Sequence, residues 1–403
     1  MATIAMPHLG MGGHLRPAVR LGAVLVRQGH RVIAWGPEGY REHIEATGAE
    51  FRPHDPVRAR IWSLPALSAD LAEATERCAG TLINEFHEER VELVAHDLHV
   101  LWARVAGDFL GLPRLVSNPL FPGFDPASSG TADPLPGGLG SAFRLGVARG
   151  NAAPSPALMD EIDRAHARVE ASRLSIGRRW GVDIGEWAST LSSTAAVSVS
   201  FTTQELTGRP APDEGWHYVG PLMGPAPPRK ARDDPDALPL VYVAFGTALN
   251  LHPGVFRAAI EALTGEPVRA LVSTGGHRIP FDSLPPLPQN VVVHDFVDAR
   301  QVLAEAALHV THGGCSSVHE SLLAGVPMVC VPHSSDQFHW AERVAALGAG
   351  RTVEMDARAI RAGVRELLGD RVAHNRAAQL GHHLAAFDGE SRVAQAVKSA
   401  LQR

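Results

Sequence analysis

The chain opens with a strand, a glycine-rich loop and a helix in immediate succession, and this order strongly limits its fold. The apolar run Thr3 to Met6 is followed by a loop at 7–14 and by a segment from Leu15 to Gly29 with apolar residues at helical spacing. The next apolar run, Arg31 to Trp35, predicts a second strand. A strand, a helix and a second strand joined in this way form a βαβ unit, which requires a parallel sheet covered by helices.

The same alternation continues through the first half of the chain and restarts in the second half. Further strands of the first half are predicted at 51–54, 91–97 and 115–117, with a helix at about 99–110. Those of the second half are predicted at 240–245, 268–274, 290–297, 308–312 and 326–331, with helices between them. At 55–90 and 118–187 the alternation weakens, and helical insertions are expected there. The predicted fold class is therefore α/β, with two Rossmann-like, doubly wound domains in tandem.

A segment rich in proline and charge separates the two series. Residues 208–239 hold eight prolines and a mixed-charge run, which is typical of a linker. We therefore place an N-terminal domain at 1–207, the linker at 208–239 and a C-terminal domain at 240–385. The last residues, 386–403, contain a helical pattern, which we expect to pack back on the N-terminal domain.

Charge and cysteine content exclude several functional classes. The 403 residues include 37 Lys and Arg against 43 Asp and Glu, a net charge of −6, so nucleic acid is not an expected partner. The three cysteines, Cys78, Cys315 and Cys330, have no metal-binding spacing and fit a reducing compartment without disulfides. We find no signal sequence and no run of 18 apolar residues, and so expect a cytoplasmic protein that does not enter the membrane.

The most informative motif lies in the second series, where a predicted strand ends at His312. Gly313 and Gly314 follow, and they allow the backbone to approach a ligand closely. Ser316 and Ser317 then open a helix whose N-terminal N–H groups and dipole favour an anion. The motif therefore predicts a diphosphate site built without a metal ion.

This motif and the residues after it resemble the nucleotide-sugar signature of the family 1 glycosyltransferases. That signature has His, then Cys or Gly, then Gly, any residue, Asn or Ser, and Ser, followed by Glu, Gly-Val-Pro and Asp-Gln. The matching residues here are His312 to Ser317, Glu320, Gly325 to Pro327, Asp336 and Gln337. The resemblance implies the GT-B architecture, in which two Rossmann-like domains face each other across a cleft. It also implies that the C-terminal domain binds a sugar nucleotide and the N-terminal domain binds the acceptor.

Two further matches lie in the first half of the chain. The opening MPHLGMGGHLRP and the later VAHD resemble motifs of the bacterial macrolide glycosyltransferases. By this resemblance His14, in the glycine-rich loop, is the general base, and Asp97 holds its tautomer and stabilises the imidazolium. The chemistry is sound, because a hydroxyl is a poor nucleophile until a base with a pKa near neutral takes its proton. His8 is an alternative base, and Asp97 could instead cap the next helix.

The resemblance also suggests which residues select the donor. The family's counterpart of Glu320 accepts hydrogen bonds from ribose hydroxyls, which favours a ribonucleotide and hence a UDP-sugar. Asp336 and Gln337 match the pair that binds hydroxyls of the transferred sugar, with glucose as the default. The alternative donor is a TDP-linked deoxysugar, because many relatives that use such donors lack the acid.

The base-binding and phosphate-binding loops match the family less well. Thr247 matches a loop near the phosphates, but it could equally be an ordinary turn. Phe296 and Val297 stand where the family commonly has Trp and its neighbour in a base-stacking motif, and Ala299 replaces the Gln of that motif. An aromatic face is retained at Phe296, while the identity of the base is left open. Ser273 and Thr274 are further candidates for the base site.

The predicted function is inverting transfer of a hexose to a hydroxyl of a hydrophobic natural product such as a macrolide, polyketide or phenolic. No cofactor is expected beyond the donor substrate itself. Candidate aromatic residues for an acceptor pocket lie in the two insertions, where they could equally be core: Trp62, Phe121, Phe124, Phe143 and Trp180. A sugar-nucleotide epimerase and a non-catalytic protein of the same fold remain alternatives.

Two other patterns in the sequence are set aside. Asp234 and Asp236 match a metal-binding Asp-x-Asp pattern, but they lie in the linker. A dehydrogenase is disfavoured, because GxGxxG is not spelled after the first strand.

Overall fold

The computed structural model describes most of the chain as two compact units. The described residues are 1–54, 57, 64–122, 156–185, 195, 197–224, 226–229, 237–246, 253–276, 287–333 and 336–403. The first unit comprises Met1–Gln204, Arg209–Leu222 and Asp388–Arg403. The second comprises Glu205–Gly208 and Met223–Phe387. The chain therefore passes from the first unit to the second more than once before the last helix returns to the first.

The described residues of the first unit form seven strands and six helices. A short seventh helix begins in this unit at Gln204 and continues into the second unit. The strands of the first unit are β1 (Thr3–Pro7), β2 (Arg31–Gly36), β3 (Glu50–Pro53), β4 (Leu93–Asp97), β5 (Arg114–Asn118), β6 (Val197–Ser200) and β7 (Trp216–Tyr218). The helices in this part of the chain are α1 (Gly12–Arg27), α2 (Arg41–Glu45), α3 (Leu64–Glu88), α4 (Leu101–Leu110), α5 (Pro156–Trp180), the short α6 (Gln204–Thr207) and, at the end of the chain, α13 (Gly389–Leu401). A 3-10 turn, Glu38–Tyr40, precedes α2.

The second unit repeats the alternation of strand and helix. Its strands are β8 (Leu240–Ala244), β9 (Arg269–Ser273), β10 (Val291–His294), β11 (Leu308–Thr311), β12 (Met328–Cys330) and β13 (Gly350–Thr352). Its helices are α7 (Pro253–Leu263), α8 (Ala299–Leu303), α9 (Cys315–Leu323), α10 (Gln337–Ala346), α11 (Ala357–Gly369) and α12 (Arg371–Ala385).

Both sheets are parallel in the described residues, and their strand orders decide where polar loops can meet. The first sheet runs β3-β2-β1-β4-β5-β6-β7, and the second runs β10-β9-β8-β11-β12-β13. In each sheet the order reverses between two central strands, β1 beside β4 and β8 beside β11. Loops leaving the carboxyl ends at such a point diverge and leave a crevice for a ligand. The two Rossmann-like domains predicted from the sequence are confirmed.

The core of the first unit lies on both faces of its sheet. One face packs α3, α4 and α5 through an apolar cluster that includes Trp35, Phe86 and Trp102. The other face packs α1, and α13 joins it through Val393 and Val397. The insertions at 64–88 and 156–180 are thus long helices, whereas 123–155 lies outside the described residues. In the second unit the larger cluster is built around Phe245 and the helices α7 and α11.

Helix α1 begins at Gly12 rather than at Leu15, where the apolar pattern begins. The N–H groups of His14 and Leu15 both donate to the Met11 carbonyl, at 2.9 and 2.8 Å, and close the first turn. His14 is therefore a helical residue, and the sequence analysis was wrong in assigning it to the loop. Pro17 lies inside the helix, and its missing N–H cannot bond to the carbonyl of Gly13, four residues back. Because the helix fixes the His14 backbone, its side chain has a defined direction.

Candidate active site

His14 and Asp97 are 83 residues apart in the chain and are brought together by the order of the strands. Strand β1 delivers the loop that leads into α1, and the neighbouring strand β4 ends at Asp97. The Nδ1 atom of His14 lies 3.0 Å from Oδ2 of Asp97. The carboxylate is 2% exposed, and the imidazole is 13% exposed. The pair thus has a shielded carboxylate and a ring that retains access to a ligand.

The Asp97 carboxylate is kept ionised although it is buried. Burial by itself raises the pKa of this carboxyl, but the charge of His14 and hydrogen bonds from His14 and from the His99 backbone outweigh it and hold the pKa below 3.8. The His99 N–H donates to Oδ1 at 2.9 Å, so each carboxylate oxygen has its own donor. An ionised Asp97 places the ring proton of His14 on Nδ1. Nε2 is then the nitrogen that accepts a proton.

The alternative base, His8, lies in a different environment. It is buried, its backbone N–H donates to the Trp35 carbonyl at 2.7 Å, and burial lowers its pKa to about 4 despite the charge of Asp97. His96 precedes Asp97 and is also buried, and burial together with the Arg114 charge lowers its pKa to about 3. Both rings are neutral near pH 7 and enclosed, so His14 is the ring in this cluster that is suited to take a proton from a substrate.

A second candidate site lies at the carboxyl edge of the other sheet. Strand β11 ends at Thr311, and His312, Gly313 and Gly314 lead directly into α9. Gly314 is the N-cap residue of that helix and provides no side-chain cap, so the N–H groups of the first turn face the loop. Such a helix N-terminus is a site for an anion. The described geometry therefore has the form that the sequence predicted for a diphosphate site.

Two glycines leave the space that the His312 ring occupies. A Cβ atom added at Gly314 would lie 2.4 Å from Nε2 of His312, and one added at Gly246 would lie 2.9 Å from the same atom. Gly246 also has a φ of +85°, a conformation that favours glycine. Gly313, with a φ of +79°, faces the Gln337 carbonyl. The ring is thus held between two backbone segments, one after β8 and one before α9.

The environment of His312 favours the neutral ring. Burial and the charge of His333, whose ring centroid lies 6.2 Å away, lower the pKa of His312 to about 3, although a hydrogen bond to the Ala244 backbone raises it. Thr311 Oγ1 lies 3.4 Å from Nδ1. Without a bound anion the ring is therefore neutral near pH 7.

The chain that carries these two sites is similar to known proteins. Over 369 residues the chain is 30% identical to demethyllactenocin mycarosyltransferase of Streptomyces fradiae, an alignment that covers 87% of this chain and 75% of that relative. The chain belongs to the family 1 glycosyltransferases. Residues 277–399 of this glycosyltransferase match the family described as Erythromycin biosynthesis protein CIII-like, C-terminal domain. That range includes His312, Glu320 and Gln337.

Two further comparisons cover the whole glycosyltransferase chain. An uncharacterized UDP-glucosyltransferase of Bacillus subtilis, YojK, is 23% identical over 423 residues, covering 100% of this chain and 98% of the relative. The crystal structure of the glycosyltransferase of kitacinnamycin superposes with a TM-score of 0.77 at 24% identity and covers 99% of both chains. This structural likeness confirms the predicted GT-B fold.

Other predicted donor residues lie on the elements around His312. Ser316, Ser317 and Glu320 are on α9, with Ser316 and Glu320 one turn apart and therefore on one face of the helix. All three are partly buried in the glycosyltransferase. Asp336 and Gln337 open α10, next to Gly313. Gln337 is buried, and its Oε1 accepts a hydrogen bond from the His333 N–H at 3.0 Å. The side-chain oxygen of Gln337 thus already accepts a hydrogen bond within the protein, a role that the motif did not reveal.

The predicted base-binding residues lie at the ends of two neighbouring strands: Phe296 and Val297 come after β10, whereas Ser273 ends β9 and Thr274 follows it. The Phe296 side chain is 59% exposed, which leaves an aromatic surface accessible at this place in the glycosyltransferase. Val297 is turned inward and packs on the cluster around Tyr242 and Leu303. Ser273 and Thr274 are buried, and Thr274 Oγ1 donates to the Asp295 carbonyl at 3.3 Å.

Several sequence candidates lie outside the described residues: Thr247, Trp62, Phe124, Phe143, Asp234 and Asp236. Two of the candidate acceptor aromatics are described, and both are packed in the protein. Phe121 is buried with the Arg209 guanidinium 4.9 Å from its ring centre, and Trp180 packs on the core of the first unit. Among the described residues, no cluster of His, Cys, Asp and Glu is placed to hold a metal ion, and no helix is long and apolar enough to cross a membrane.

Two residues of the two sites were not found from the sequence. His333 borders the His312 ring, and His99 lies against His14. Gly246, which also borders the His312 ring, precedes Thr247 in the loop that the sequence predicts near the phosphates. His99 and His333 are two of 21 histidines, and nothing in their spacing distinguishes them.

Proposed function

We propose that this glycosyltransferase moves a hexose from a UDP-sugar to a hydroxyl group of a hydrophobic natural product, with inversion at the anomeric carbon. The observation that carries the proposal is the His14–Asp97 pair, with 3.0 Å between Nδ1 and Oδ2 and a buried carboxylate. A histidine oriented in this way is suited to activate an alcohol directly. Direct attack by the acceptor on the donor inverts the anomeric configuration, because one displacement occurs.

In the proposed step His14 Nε2 takes the proton of the acceptor hydroxyl as its oxygen attacks the anomeric carbon. The bond between that carbon and the diphosphate oxygen breaks, and the diphosphate leaves with the electron pair. Asp97 stabilises the imidazolium that forms, because its ionised oxygen lies on the Nδ1 side of the ring. The proton therefore ends on a ring whose positive charge is already compensated.

The His312 loop is proposed to stabilise the departing diphosphate. The N-terminal N–H groups of α9 and the helix dipole act on negative charge without any further reorganisation. His312 is neutral in the free protein, and the phosphate charges favour its protonation once a donor is bound. The loop would thus do by hydrogen bonding what a metal ion does in other transferases, and the proposed reaction requires no metal.

The donor is proposed to be a UDP-hexose, with glucose as the first candidate. Glu320 supports this choice, because a carboxylate can accept hydrogen bonds from both ribose hydroxyls. Relatives bear names that point to different sugars, a mycarosyltransferase in one case and a UDP-glucosyltransferase in the other. A TDP-linked deoxysugar is therefore the alternative that the experiment must separate.

The acceptor is proposed to be a macrolide, polyketide or phenolic. The relative with 30% identity is named as acting on demethyllactenocin, and the matched family bears the name of an erythromycin biosynthesis protein. The aromatic residues Phe121 and Trp180 do not support a pocket, since they are packed in the protein. The acceptor proposal therefore rests on the relatives and on the partial exposure of the His14 ring.

The first experiment is a thermal-shift series with UDP-glucose, UDP, 2′-deoxy-UDP and dTDP-glucose. A ligand present at about 100 times its dissociation constant raises the free energy of unfolding by about 2.7 kcal/mol. At equal concentrations, the donor that binds most tightly therefore gives the largest rise in melting temperature. We expect that donor to be UDP-glucose. Glu320→Ala should weaken the binding of UDP more than that of 2′-deoxy-UDP, because the deoxy analogue offers Glu320 only its 3′-hydroxyl. A larger shift with dTDP-glucose in the wild type would overturn the UDP proposal.

The second experiment tests catalysis with UDP-glucose and a panel of macrolide and phenolic aglycones. Wild-type protein should form a β-linked product from the α-linked donor, and His14→Ala should nearly abolish it. An α-linked product would contradict inversion. Product formation from the donor alone, without acceptor, would favour an epimerase.

A further inference from the structure

The Asp97 carboxylate orders two histidines, and the proposed chemistry uses only one of them. Oδ2 faces the His14 ring at 3.0 Å, and Oδ1 accepts the His99 backbone N–H at 2.9 Å. The His99 ring lies against the His14 ring, with centroids 4.8 Å apart and an interplanar angle of 32°. One carboxylate therefore positions both the proposed base, His14, and the residue whose ring packs on it, His99.

The position of His99 is determined by a short turn between β4 and α4. Besides the His99 N–H bond, the Val100 N–H donates to the Asp97 carbonyl at 2.9 Å, and the Leu101 N–H donates to the His99 carbonyl at 3.1 Å. The His99 residue is 8% exposed. Since the turn is closed through backbone groups on both sides of His99, its side chain leaves the backbone at a fixed place.

A hydrogen bond to a carboxylate fixes one atom of an imidazole but not the rotation of the ring about that bond. The last torsion of a histidine side chain also has broad energy minima, so packing on the face of the ring contributes to its orientation. A general base must place its nitrogen within hydrogen-bond reach of the proton that it removes. A flat ring packed against one face of the imidazole restricts that pivot. Aromatic rings at this separation also attract one another.

We propose that His99 is a positioning residue, whose ring packs on His14 and keeps Nε2 directed at the acceptor hydroxyl. The inference rests on the proposed function, because it assigns His99 a role through the base His14. It adds a residue that the glycine-rich and His-Asp motifs do not include. The role belongs to the ring, since the backbone N–H bond to Asp97 survives a change of side chain.

The test compares His99→Phe with His99→Ala. Phenylalanine keeps a flat ring at the same place, so we expect kcat within about threefold of the wild type, whereas alanine should lower kcat by about 10- to 100-fold through misplacement of the base. The KM values for donor and acceptor should change little in both variants. The matched control is His43→Ala, which removes another ring-paired histidine of the same unit, 6.1 Å from Tyr40, and should leave kcat unchanged.

A second readout separates positioning from a general loss of structure. A nitrophenol that is already ionised at the assay pH needs no base, whereas an unsubstituted phenol does. The loss in His99→Ala should therefore be large with the phenol and small with the nitrophenolate. Equal losses with both acceptors would overturn the positioning role. Crystal structures should show the His14 ring 3.0 Å from Asp97 in His99→Phe and in more than one orientation in His99→Ala; a single unchanged orientation in both would also overturn the role.

The outcome for His99 is distinguishable from the outcome for the proposed function. If His14→Ala abolishes transfer while His99→Ala keeps the wild-type kcat, the proposed function stands and the positioning role is wrong. If His14→Ala retains transfer, the base itself is wrong, and the positioning role falls with it.

Discussion

The two units place a histidine at the carboxyl edge of each parallel sheet, and the two rings have opposite properties. His14 faces the buried, ionised Asp97 and has a partly exposed ring. His312 lies between Gly246 and Gly314, and burial, with His333 nearby, lowers its pKa to about 3. In the free protein the His312 ring is therefore neutral near pH 7, whereas the His14 ring faces a carboxylate that stabilises its protonated form.

The difference shows that the partner of an imidazole decides its chemistry more than the loop that carries it. Both histidines are next to glycines and close to the first turn of a helix. A carboxylate stabilises the protonated ring, whereas burial without one favours the neutral ring. Four predictions test this comparison, in order of decreasing expected effect.

The largest effect is expected from replacing the Asp97 carboxylate, because His14 then loses the charge that distinguishes it from His312. Asp97→Asn keeps the shape of the side chain but removes the charge that stabilises the imidazolium. We expect kcat to fall by about 10²- to 10⁴-fold, the range for a general base, with little change in the KM for the donor. Steady-state kinetics with UDP-glucose would check this, and a kcat near the wild-type value would show that His14 acts without a carboxylate.

Removing the His312 ring should instead affect the kinetics with respect to the donor. We expect His312→Ala to lower kcat/KM for the donor by about 10- to 100-fold, the loss of one hydrogen bond to a charged group. The KM for the acceptor should remain unchanged, because the acceptor is assigned to the first unit. The measurement is a KM series in both substrates. If the acceptor KM rose while the donor KM did not, the assignment of the two units would be reversed.

The neutral state of His312 should be visible in the pH dependence of stability. Its folded pKa of about 3 lies below the ordinary 6.5, so the unfolded state binds the proton first, and stability falls as the pH drops below about 6.5. Each such ring contributes about 1.4 kcal/mol per pH unit in this window. His312→Asn should therefore show a shallower loss between pH 6 and 4, measured by urea unfolding beside the wild type.

Asp97 supplies the contrast in the same experiment. Its pKa is held below 3.8, so the stability that it contributes is present above that pH and is lost only as the pH falls further. It therefore adds little to the change in stability between pH 6 and 4. Parallel curves for the wild type and His312→Asn in that window would show that His312 is protonated in the folded protein.

The smallest effect is expected at the predicted base-stacking residue. Phe296→Ala should weaken UDP binding about fivefold, because stacking on a base contributes about 1–3 kcal/mol and this ring is largely exposed. Phe296→Trp should bind UDP at least as tightly as the wild type. Calorimetric titration with UDP would check both variants, and unchanged affinity in Phe296→Ala would place the base elsewhere.

Much of the fold could be predicted from the sequence, because the pattern of apolar residues directly reflects which faces are buried. The strand at 308–312 and the helix that follows it were located within one or two residues. Helix α1 was placed too late, because its first turn, Gly12 to His14, has no apolar residue to mark it. The pairing of His14 with Asp97 came from resemblance, since periodicity does not show which strands become neighbours.

The sites were predictable to the extent that a motif is continuous in the chain. His312, the glycines after it and the start of α9 form one segment, so their local geometry follows from adjacent residues. His99 is two residues after Asp97, but only the closed turn brings its ring against His14. Gln337 was expected to face a sugar, and its Oε1 also holds the His333 N–H, which no local pattern indicates.

The sequence by itself determined the two strand and helix series and the glycines of the loops that follow β1 and β11. Both follow from local steric and hydrophobic preferences. The tertiary structure alone decided which imidazole has a carboxylate partner and which is buried without one. A pKa depends on burial and on groups within a few ångströms, and here those groups come from neighbouring strands far apart in the chain.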